Sequence, residues 1–334
     1  MRILIVNVNW IGDVLFSTLL IRSIKKNFPD AYLVTLASKN GAQLLKNNPY
    51  LDDIIEFDPF KERGFNSFDG VLIKKIKNYN FTHSLHLHRS ISRRLYSYLG
   101  GIKNRIGYNE KLKSFLLTKA LSSKRDRVHR ALYYFNVGGS IGVVDDGGGL
   151  DVFTKDRELN EIRDILAAYK VDQFCLIHIG ANWEAKRWPL DYYVELINGI
   201  AIKHGLKIVL TGTERDIQDA DYIIAHSNSK IVSLVGKTSL RELISLIDLS
   251  KVSITVDSAP LHIAVALGRP LIGIFGPTDD NITGPFRPKA KTIILKENVD
   301  CLIPCYEDNC PYEYKCMKNV KPQSVLDAFD EILK

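Results

Sequence analysis

The chain has 334 residues, of which 46% are hydrophobic and 25% charged, and its formal net charge is +7. This length fits two ordinary globular domains better than one oversized core. No run approaches ~20 uninterrupted apolar residues, which excludes a transmembrane helix. Asn7, Asn9 and Asp13 interrupt the first apolar stretch, which argues against a signal peptide. We therefore expect a soluble, cytoplasmic protein.

The first half of the chain alternates short apolar strands with amphipathic helices. This alternation is typical of a parallel sheet covered by helices on both faces. Strands are predicted at RILIV (2–6), AYLVTLA (31–37), DDIIEF (52–57) and FTHSLHL (81–87). Helices are predicted at 17–28, near 41–48 and at 68–79.

The second half repeats the scheme after a glycine-containing linker near 143–172. Strands are predicted at 174–181, 207–212, 231–236, 252–256 and 270–276, and helices at 190–205, 215–227, 239–250 and 261–268. The sequence thus predicts an α/β protein with two Rossmann-like, doubly wound domains facing each other across a cleft. The predicted divisions are 1–160, 161–321 and a C-terminal helix, 322–334, whose packing the sequence leaves open.

A single carboxylate, Asp13, follows the first strand in the stretch NVNWIGDVLF. A strand-to-helix turn lies at the carboxyl edge of a parallel sheet, where ligands bind. Two interpretations remain at this stage. Asp13 either caps the helix that follows or acts as a base in a ligand site.

Positive charge is concentrated in the first half. Residues 1–150 carry a net charge of +11 and the remainder −4. Such a surface suits nucleic acid, an anionic membrane or a phosphorylated substrate, unless it is merely solvated. No nucleic-acid module is recognisable. The basic cluster between residues 89 and 130 consists of Arg89, Arg93, Arg94, Lys103, Arg105, Lys111, Lys113, Lys119, Lys124, Arg125, Arg127 and Arg130.

Three turns in the second half end predicted strands and could hold an anion, since a starting helix offers free N–H groups to a phosphate. The absence of a G-x-G-x-x-G fingerprint and of a Walker loop argues against the commonest dinucleotide and P-loop classes. Three such turns at one sheet edge favour a nucleotide site. The turns are GANWEAKRWP with Lys186 and Arg187, LTGTERD with Thr211 and Glu214, and TVDSAPLHIAVALG with Asp257 and Ser258.

Five separated segments resemble glycosyltransferase family 9, the ADP-heptose:lipopolysaccharide heptosyltransferases. They are WIGDVLFSTLL, GANWEAKRWP, LVGKTSL, DSAPLHIAVALGRPLIGIFGPTD and CPYEYKCMKNVKP. WIGD and AKRWP look closer to the heptosyltransferase II branch than to the heptosyltransferase I branch. The resemblance implies a GT-B fold with an acceptor-binding N-terminal domain and a nucleotide-sugar-binding C-terminal domain. It also implies an inverting transfer from ADP-heptose that requires no cofactor and no bound metal.

The resemblance further implies individual roles. Asp13 matches the base that takes the proton of the acceptor hydroxyl, and Lys186 matches a lysine that contacts the donor phosphates. Ala259 stands where the family often has glycine. His262 as a buried helix residue and Asp279 as a helix cap remain alternatives. The predicted donor site comprises Lys186, Thr211, Glu214, Asp257, Ser258, Ala259, His262 and Thr278.

The predicted acceptor site follows the first and fourth strands. His86 and His88 project from one face of a strand with no acidic partner nearby in sequence, so we favour acceptor binding over metal binding. A basic, hydrogen-bonding set suits an acceptor rich in carboxylates and phosphates, such as the lipopolysaccharide inner core. The predicted acceptor residues are Asn9, Trp10, His86, His88, Arg89 and Arg93.

Four cysteines lie near the C-terminus, namely Cys301, Cys305, Cys310 and Cys316. Their spacing lacks the paired C-x2-C knuckles of common zinc sites. Free thiols, a structural zinc site and disulfides all remain open.

The sequence therefore favours an inverting heptosyltransferase at the cytoplasmic face of the inner membrane, with ADP-heptose and an anionic, lipid-linked core oligosaccharide as partners and no nucleic acid. One alternative is a family 9 transferase with another sugar nucleotide or glycan acceptor. Others are a nucleotide-sugar epimerase of the same architecture and a basic binding protein without catalysis.

Overall fold

The computed structural model describes residues 1–59, 69–123, 128–305, 307 and 310–334, with the backbone alone at 111–113. It divides into two compact units, Met1–Phe153 and Thr154–Lys334. The predicted division after residue 160 would cut a helix, α7 (Asp156–Ala168), that lies wholly in the C-terminal unit. The preceding segment stays with the N-terminal unit because Arg22 forms salt bridges to Asp146 and Asp151.

The N-terminal unit is built on a parallel sheet, with six strands in the part of the chain that is described. Its strand order is β3-β2-β1-β4-β5-β6, the doubly wound order of a Rossmann fold. The strands are β1 (Arg2–Val6), β2 (Tyr32–Ser38), β3 (Asp53–Phe57), β4 (His83–His86), β5 (Asn104–Tyr108) and β6 (Lys119–Leu121). The helices are α1 (Ile11–Phe16), α2 (Thr18–Asn27), α3 (Lys39–Leu45), α4 (Gly70–Asn78), α5 (Ile91–Leu99) and α6 (Arg130–Gly139).

The C-terminal unit repeats this architecture. Its described strands are again parallel and lie in the order β12-β11-β10-β7-β8-β9, which is the same winding. The strands are β7 (Phe174–His178), β8 (Lys207–Thr211), β9 (Ile231–Ser233), β10 (Val252–Val256), β11 (Leu271–Phe275) and β12 (Thr292–Lys296). The helices after α7 are α8 (Leu190–His204), α9 (Ile217–His226), α10 (Leu240–Leu249), α11 (Ala259–Leu267), α12 (Asp280–Thr283), α13 (Lys315–Lys318) and α14 (Pro322–Ile332).

The two sheets confirm the predicted α/β class with two Rossmann-like units. The central strands are buried on both faces, as their continuous apolar runs predict, since helices cover parallel sheets on both sides. The sequence prediction missed β5, β6 and β12. β6 has only three residues, while β5 contains the polar NRIGY, so neither shows a clear apolar strand pattern.

The C-terminal helix α14 packs within the C-terminal unit. Val325, Ala328 and Phe329 join the core cluster that also contains Leu196 of α8. Pro322 occupies the first turn, where its missing N–H costs nothing. This placement answers the question of packing that the sequence leaves open.

No helix among the described residues is both long and apolar enough to cross a membrane.

Candidate active site

In both units the winding reverses direction at a topological switch point, where ligands bind in open α/β sheets. In the N-terminal unit this point lies between β1 and β4, and in the C-terminal unit between β7 and β10. The segments after these four strands contain Asp13, His88, Lys186 and Asp257 respectively. The topology therefore groups the predicted site residues into two pairs of neighbouring loops.

The Asp257 carboxylate is the centre of the C-terminal cluster. Lys186 Nζ and Thr278 Oγ1 each donate to Asp257 Oδ2 over 2.6 Å. His262 Nε2 lies 3.9 Å from Asp257 Oδ1. Asp257 is 4% exposed, whereas the Lys186 side chain is 21% exposed. The lysine thus connects a buried carboxylate to the surface at the switch point.

The first turn of α11 lies directly beside this carboxylate. Ser258 is the N-cap residue, and its hydroxyl pairs with Thr255 Oγ1 at 3.0 Å. Ala259 begins the helix and Pro260 follows, so one of the unpaired N–H groups of the first turn is absent. Both Ser258 and Ala259 are partly exposed. Free N–H groups of a first turn and a lysine ammonium are groups that favour an anion, so the donor-phosphate site stays a prediction at this position.

Asp13 lies in the first turn of α1, which begins earlier than the predicted helix. Trp10 is the N-cap residue and its side chain makes no cap bond, while Asp13 is the acidic residue of the first turn. Tyr134 Oη donates to Asp13 Oδ1 over 2.9 Å from α6. The carboxylate is partly exposed. It is oriented by a neighbour and remains accessible.

The model of the family described as "Glycosyltransferase family 9 (heptosyltransferase)" matches residues 70–314. The chain belongs to glycosyltransferase family 9. This family 9 enzyme is 25% identical to Lipopolysaccharide heptosyltransferase 2 of Salmonella typhimurium, and the alignment covers 100% of this chain and 99% of that protein. The sequence-based assignment to the family, and hence to the glycosyltransferases, is confirmed.

Solved structures support the fold of the family 9 enzyme. A glycosyl transferase family 9 protein from Veillonella parvula superposes with a TM-score of 0.86 at 20% identity, covering 99% of this chain and 97% of that one. ADP-heptose lps heptosyltransferase II of E. coli gives a TM-score of 0.82 at 22% identity, covering 100% and 98%. These likenesses confirm the expected GT-B fold class.

Two other predicted donor residues of the family 9 enzyme lie beside an internal network. Thr211 is fully buried and its hydroxyl pairs with His178 Nδ1 at 3.1 Å. Burial, together with the charge of Arg187, lowers the pKa of His178 to about 4, although Asp216 acts in the opposite direction. Glu214 is exposed. Thr211 therefore contacts the interior, and donor binding by Glu214 stays a prediction.

Arg187, next to Lys186, belongs to this same network. It forms salt bridges to Asp216 at 2.6 Å and to Asp219 at 2.9 Å. Asp216 is 1% exposed and also accepts from the backbone and hydroxyl of Thr213. Of the two adjacent cations, Arg187 stabilises the fold, and Lys186 remains the candidate phosphate ligand.

The predicted acceptor residues separate into exposed and buried members. Trp10 is 66% exposed, and Asn9, His88 and Arg89 are partly exposed. His86 and Arg93 are each 1% exposed. The prediction that His86 and Arg93 contact the acceptor directly is therefore wrong, because a side chain enclosed by the core cannot reach a sugar in solution.

His86 and Arg93 instead make contacts inside the N-terminal unit. His86 Nε2 pairs with Ser84 Oγ at 3.1 Å, and burial with nearby arginine charge lowers its pKa to about 3. Arg93 donates to Asn7 O and to Asn9 Oδ1, and its guanidinium lies over the Phe57 ring at 4.4 Å. Arg93 thus supports the Asn9 turn from behind.

Several arginines of the basic cluster are buried or paired within the N-terminal unit. Arg94 is fully buried, and Arg105 donates to the backbone oxygens of Ile102 and Leu116. Arg89 pairs with Glu110 at 2.7 Å. These three arginines therefore hold the N-terminal unit together. Lys124, Arg125 and Arg127 lie outside the described residues, as do the side chains of Lys111 and Lys113.

The structure shows the environments of Asp279 and of the four cysteines near the C-terminus. Asp279 is the N-cap of α12 and accepts from Asn281 N over 2.9 Å, which agrees with the capping alternative. Cys301, Cys305, Cys310 and Cys316 are free thiols. Within the described parts of the chain, no three His, Cys, Asp or Glu side chains are grouped so as to hold a metal ion.

Sequence reasoning missed Tyr134 and the His178–Asp216 network. Tyr134 is separated from Asp13 by 121 positions, and nothing in its local pattern distinguishes it from other aromatic residues of the unit. Two glycines lie close to the Asp216 side chain. A Cβ at Gly180 would collide with it, and a Cβ at Gly212 would lie 3.1 Å from it.

Proposed function

We propose that this family 9 enzyme transfers a heptose from ADP-heptose to the inner-core oligosaccharide of a lipid-linked lipopolysaccharide precursor, with inversion at the anomeric carbon. The observation that carries the proposal is the meeting of Lys186, Asp257 and the first turn of α11 at one switch point. A leaving diphosphate needs a cation and N–H donors together. The relative named Lipopolysaccharide heptosyltransferase 2 supports the choice of sugar and acceptor.

In the proposed reaction, the acceptor hydroxyl oxygen bonds to the anomeric carbon of the heptose as the bond from that carbon to the β-phosphate oxygen breaks. The hydroxyl proton passes to the Asp13 carboxylate, and ADP leaves with the bonding electron pair. A carboxylate that is partly exposed and already oriented suits this role. Asp13 thus acts as the general base.

On the donor side, Lys186 stabilises the charge that develops on the β-phosphate oxygen. Its ammonium donates to Asp257 Oδ2 over 2.6 Å at the switch point. Thr278 also donates to Asp257 and keeps that carboxylate fixed. Because an ionised carboxylate only accepts hydrogen bonds, Asp257 suits the hydroxyl groups of the sugar.

We further propose that the enzyme acts as a peripheral protein at the cytoplasmic face of the inner membrane, where it would meet a lipid-linked acceptor. The described arginines of the basic cluster contribute little support, because several are used internally. Partly exposed Arg89 and exposed Trp10 are the better candidates for acceptor contact. Sedimentation with vesicles that contain the acceptor tests this part of the proposal.

Turnover with a panel of sugar nucleotides tests the reaction itself. ADP-heptose, other ADP-sugars and UDP-sugars are each incubated with a purified inner-core acceptor, and the product is identified by mass spectrometry and its anomeric configuration by NMR. We expect heptosylated acceptor with inverted configuration from ADP-heptose. Transfer from another donor alone would contradict the proposed donor, and ADP release without glycosylated acceptor would contradict the transfer.

A further inference from the structure

The proposed base is oriented by a residue from a distant part of the N-terminal unit. Tyr134 lies on α6, and its hydroxyl donates to Asp13 Oδ1 over 2.9 Å. The tyrosine is 3% exposed, whereas Asp13 is partly exposed. The hydrogen bond therefore reaches from the interior to the accessible carboxylate.

Tyr134 is itself held in place by its surroundings. Its ring packs edge-to-face on Tyr133, with the ring centroids 5.6 Å apart. A contact besides the hydrogen bond links α1 to the start of α6. Phe16 at the end of α1 packs edge-to-face on His129, with the ring centroids 5.2 Å apart. His129 is the N-cap residue of α6, and its Nδ1 accepts from Ala131 N. An aromatic contact thus joins the end of α1 to the start of α6, beside the hydrogen bond between Tyr134 and Asp13.

A phenol that donates to a carboxylate stabilises its charged form, which weakens it as a base. The benefit must therefore be geometric. An Asp side chain has two rotatable bonds, and a hydrogen bond to one oxygen restricts both of them. Catalysis by a base depends on such orientation, since small misplacements of reacting groups cost rate.

We propose that Tyr134 is a positioning residue of the transfer reaction, whose hydroxyl holds the Asp13 carboxylate in the orientation that receives the acceptor proton. This inference rests on the proposed function, in which Asp13 is the base. It predicts that the tyrosine hydroxyl affects the chemical step and leaves the binding of both substrates unchanged.

Tyr134→Phe removes the hydroxyl and keeps the ring packing. We expect kcat to fall about tenfold, the order of magnitude for losing one hydrogen bond to a charged group, with both KM values unchanged. Tyr108→Phe is the matched control. Tyr108 is 2% exposed, and its hydroxyl donates to the backbone oxygen of Tyr133 on the same helix. Thermal unfolding of both variants shows whether the fold is retained.

The Asp13→Asn background separates the two proposals. In this variant an amide that cannot act as a base replaces the carboxylate. Adding Tyr134→Phe should therefore change the remaining rate by less than about twofold. A Tyr134→Phe kcat within about twofold of the wild-type value, or an equal fall in the Tyr108→Phe control, would overturn the positioning role. If instead Asp13→Asn remains active, the assignment of the base is wrong, and the role of Tyr134 is overturned with it.

Discussion

Lys186 Nζ lies 2.6 Å from Asp257 Oδ2, although 71 positions separate the two residues in sequence. They meet because β7 and β10 are neighbours in the sheet and end at the same edge. Each follows its strand closely, and together they place a cation and a buried carboxylate at the switch point.

Lys186→Ala should weaken ADP binding by about ten- to a hundredfold at low salt, because one charge-assisted contact is lost and the Asp257 carboxylate is left without its cation. The effect should shrink as salt rises, since screening acts over ~8 Å at physiological ionic strength. Calorimetric titration with ADP at two salt concentrations measures both. Lys203→Ala, which removes a surface lysine paired with Asp330, is the control. Equal ADP affinity of the wild type and Lys186→Ala at low salt would refute the phosphate role.

Asp13→Asn should lower kcat by about 10²–10⁴-fold, the usual cost of losing a positioned base. Affinity for ADP should stay within about twofold of wild type, because Asp13 belongs to the N-terminal unit and the Lys186 cluster to the C-terminal unit. Asp52→Asn, at a carboxylate that pairs with Lys25 at 2.7 Å, is the control for charge removal. More than about a tenth of the wild-type rate in Asp13→Asn would exclude the base assignment.

Trp10→Ala should raise the acceptor KM and leave the donor KM unchanged. The indole is 66% exposed next to the Asp13 turn, so truncation removes contact surface without opening the core. Loss of one aromatic contact of this kind costs about 1–2 kcal/mol of binding. Steady-state kinetics with each substrate varied in turn gives the comparison. Tyr98→Ala, at another exposed aromatic residue of the unit, is the control and should have the wild-type acceptor KM. An unchanged acceptor KM in Trp10→Ala would show that the acceptor binds elsewhere.

Arg187→Ala should destabilise the C-terminal unit by about 3 kcal/mol. That is the lower end of the ~3–5 kcal/mol typical when a buried ion pair loses one partner, since Arg187 remains 21% exposed while Asp216 is 1% exposed. Urea unfolding measures the loss. The double variant Arg187→Ala/Asp216→Asn should recover part of it, because the unpaired buried charge is then absent. A single variant as stable as wild type would show that the network contributes little.

His86 should make stability depend on pH in the acidic range. Its pKa in the folded protein is lowered to about 3, whereas the unfolded chain has the ordinary value near 6.5. Between these values the unfolded chain binds a proton that the folded chain excludes. The contribution of His86 to the free energy of unfolding is therefore highest above pH 6.5, where the residue is neutral in both states. It decreases as the pH falls toward 3.

The size of this effect is ~2 kcal/mol in the free energy of unfolding between pH 7.5 and 5. His86→Gln removes the titrating group, so its urea midpoint should fall less than that of the wild type over the same pH interval. Equal pH dependence in both proteins would show that the fold does not lower the pKa of His86.

The sequence by itself determined the features that depend on local patterns. Apolar runs identify β1, β7 and β10 because central parallel strands are buried on both faces. The alternation with helices indicates two doubly wound units, and strand-to-helix turns indicate where Asp13, Lys186 and Asp257 lie. Such turns are recognisable because the chain must leave the sheet at its carboxyl edge.

Only the tertiary structure decided which side chains face the interior. Arg93 and Trp10 both belong to the predicted acceptor set, yet one is enclosed and the other exposed. The adjacent residues Lys186 and Arg187 likewise differ, because Asp216 holds the arginine whereas the lysine extends to Asp257. The contact of Tyr134 with Asp13 joins residues 121 positions apart. Burial and pairing depend on the packing of segments distant in sequence, so no local pattern contains them.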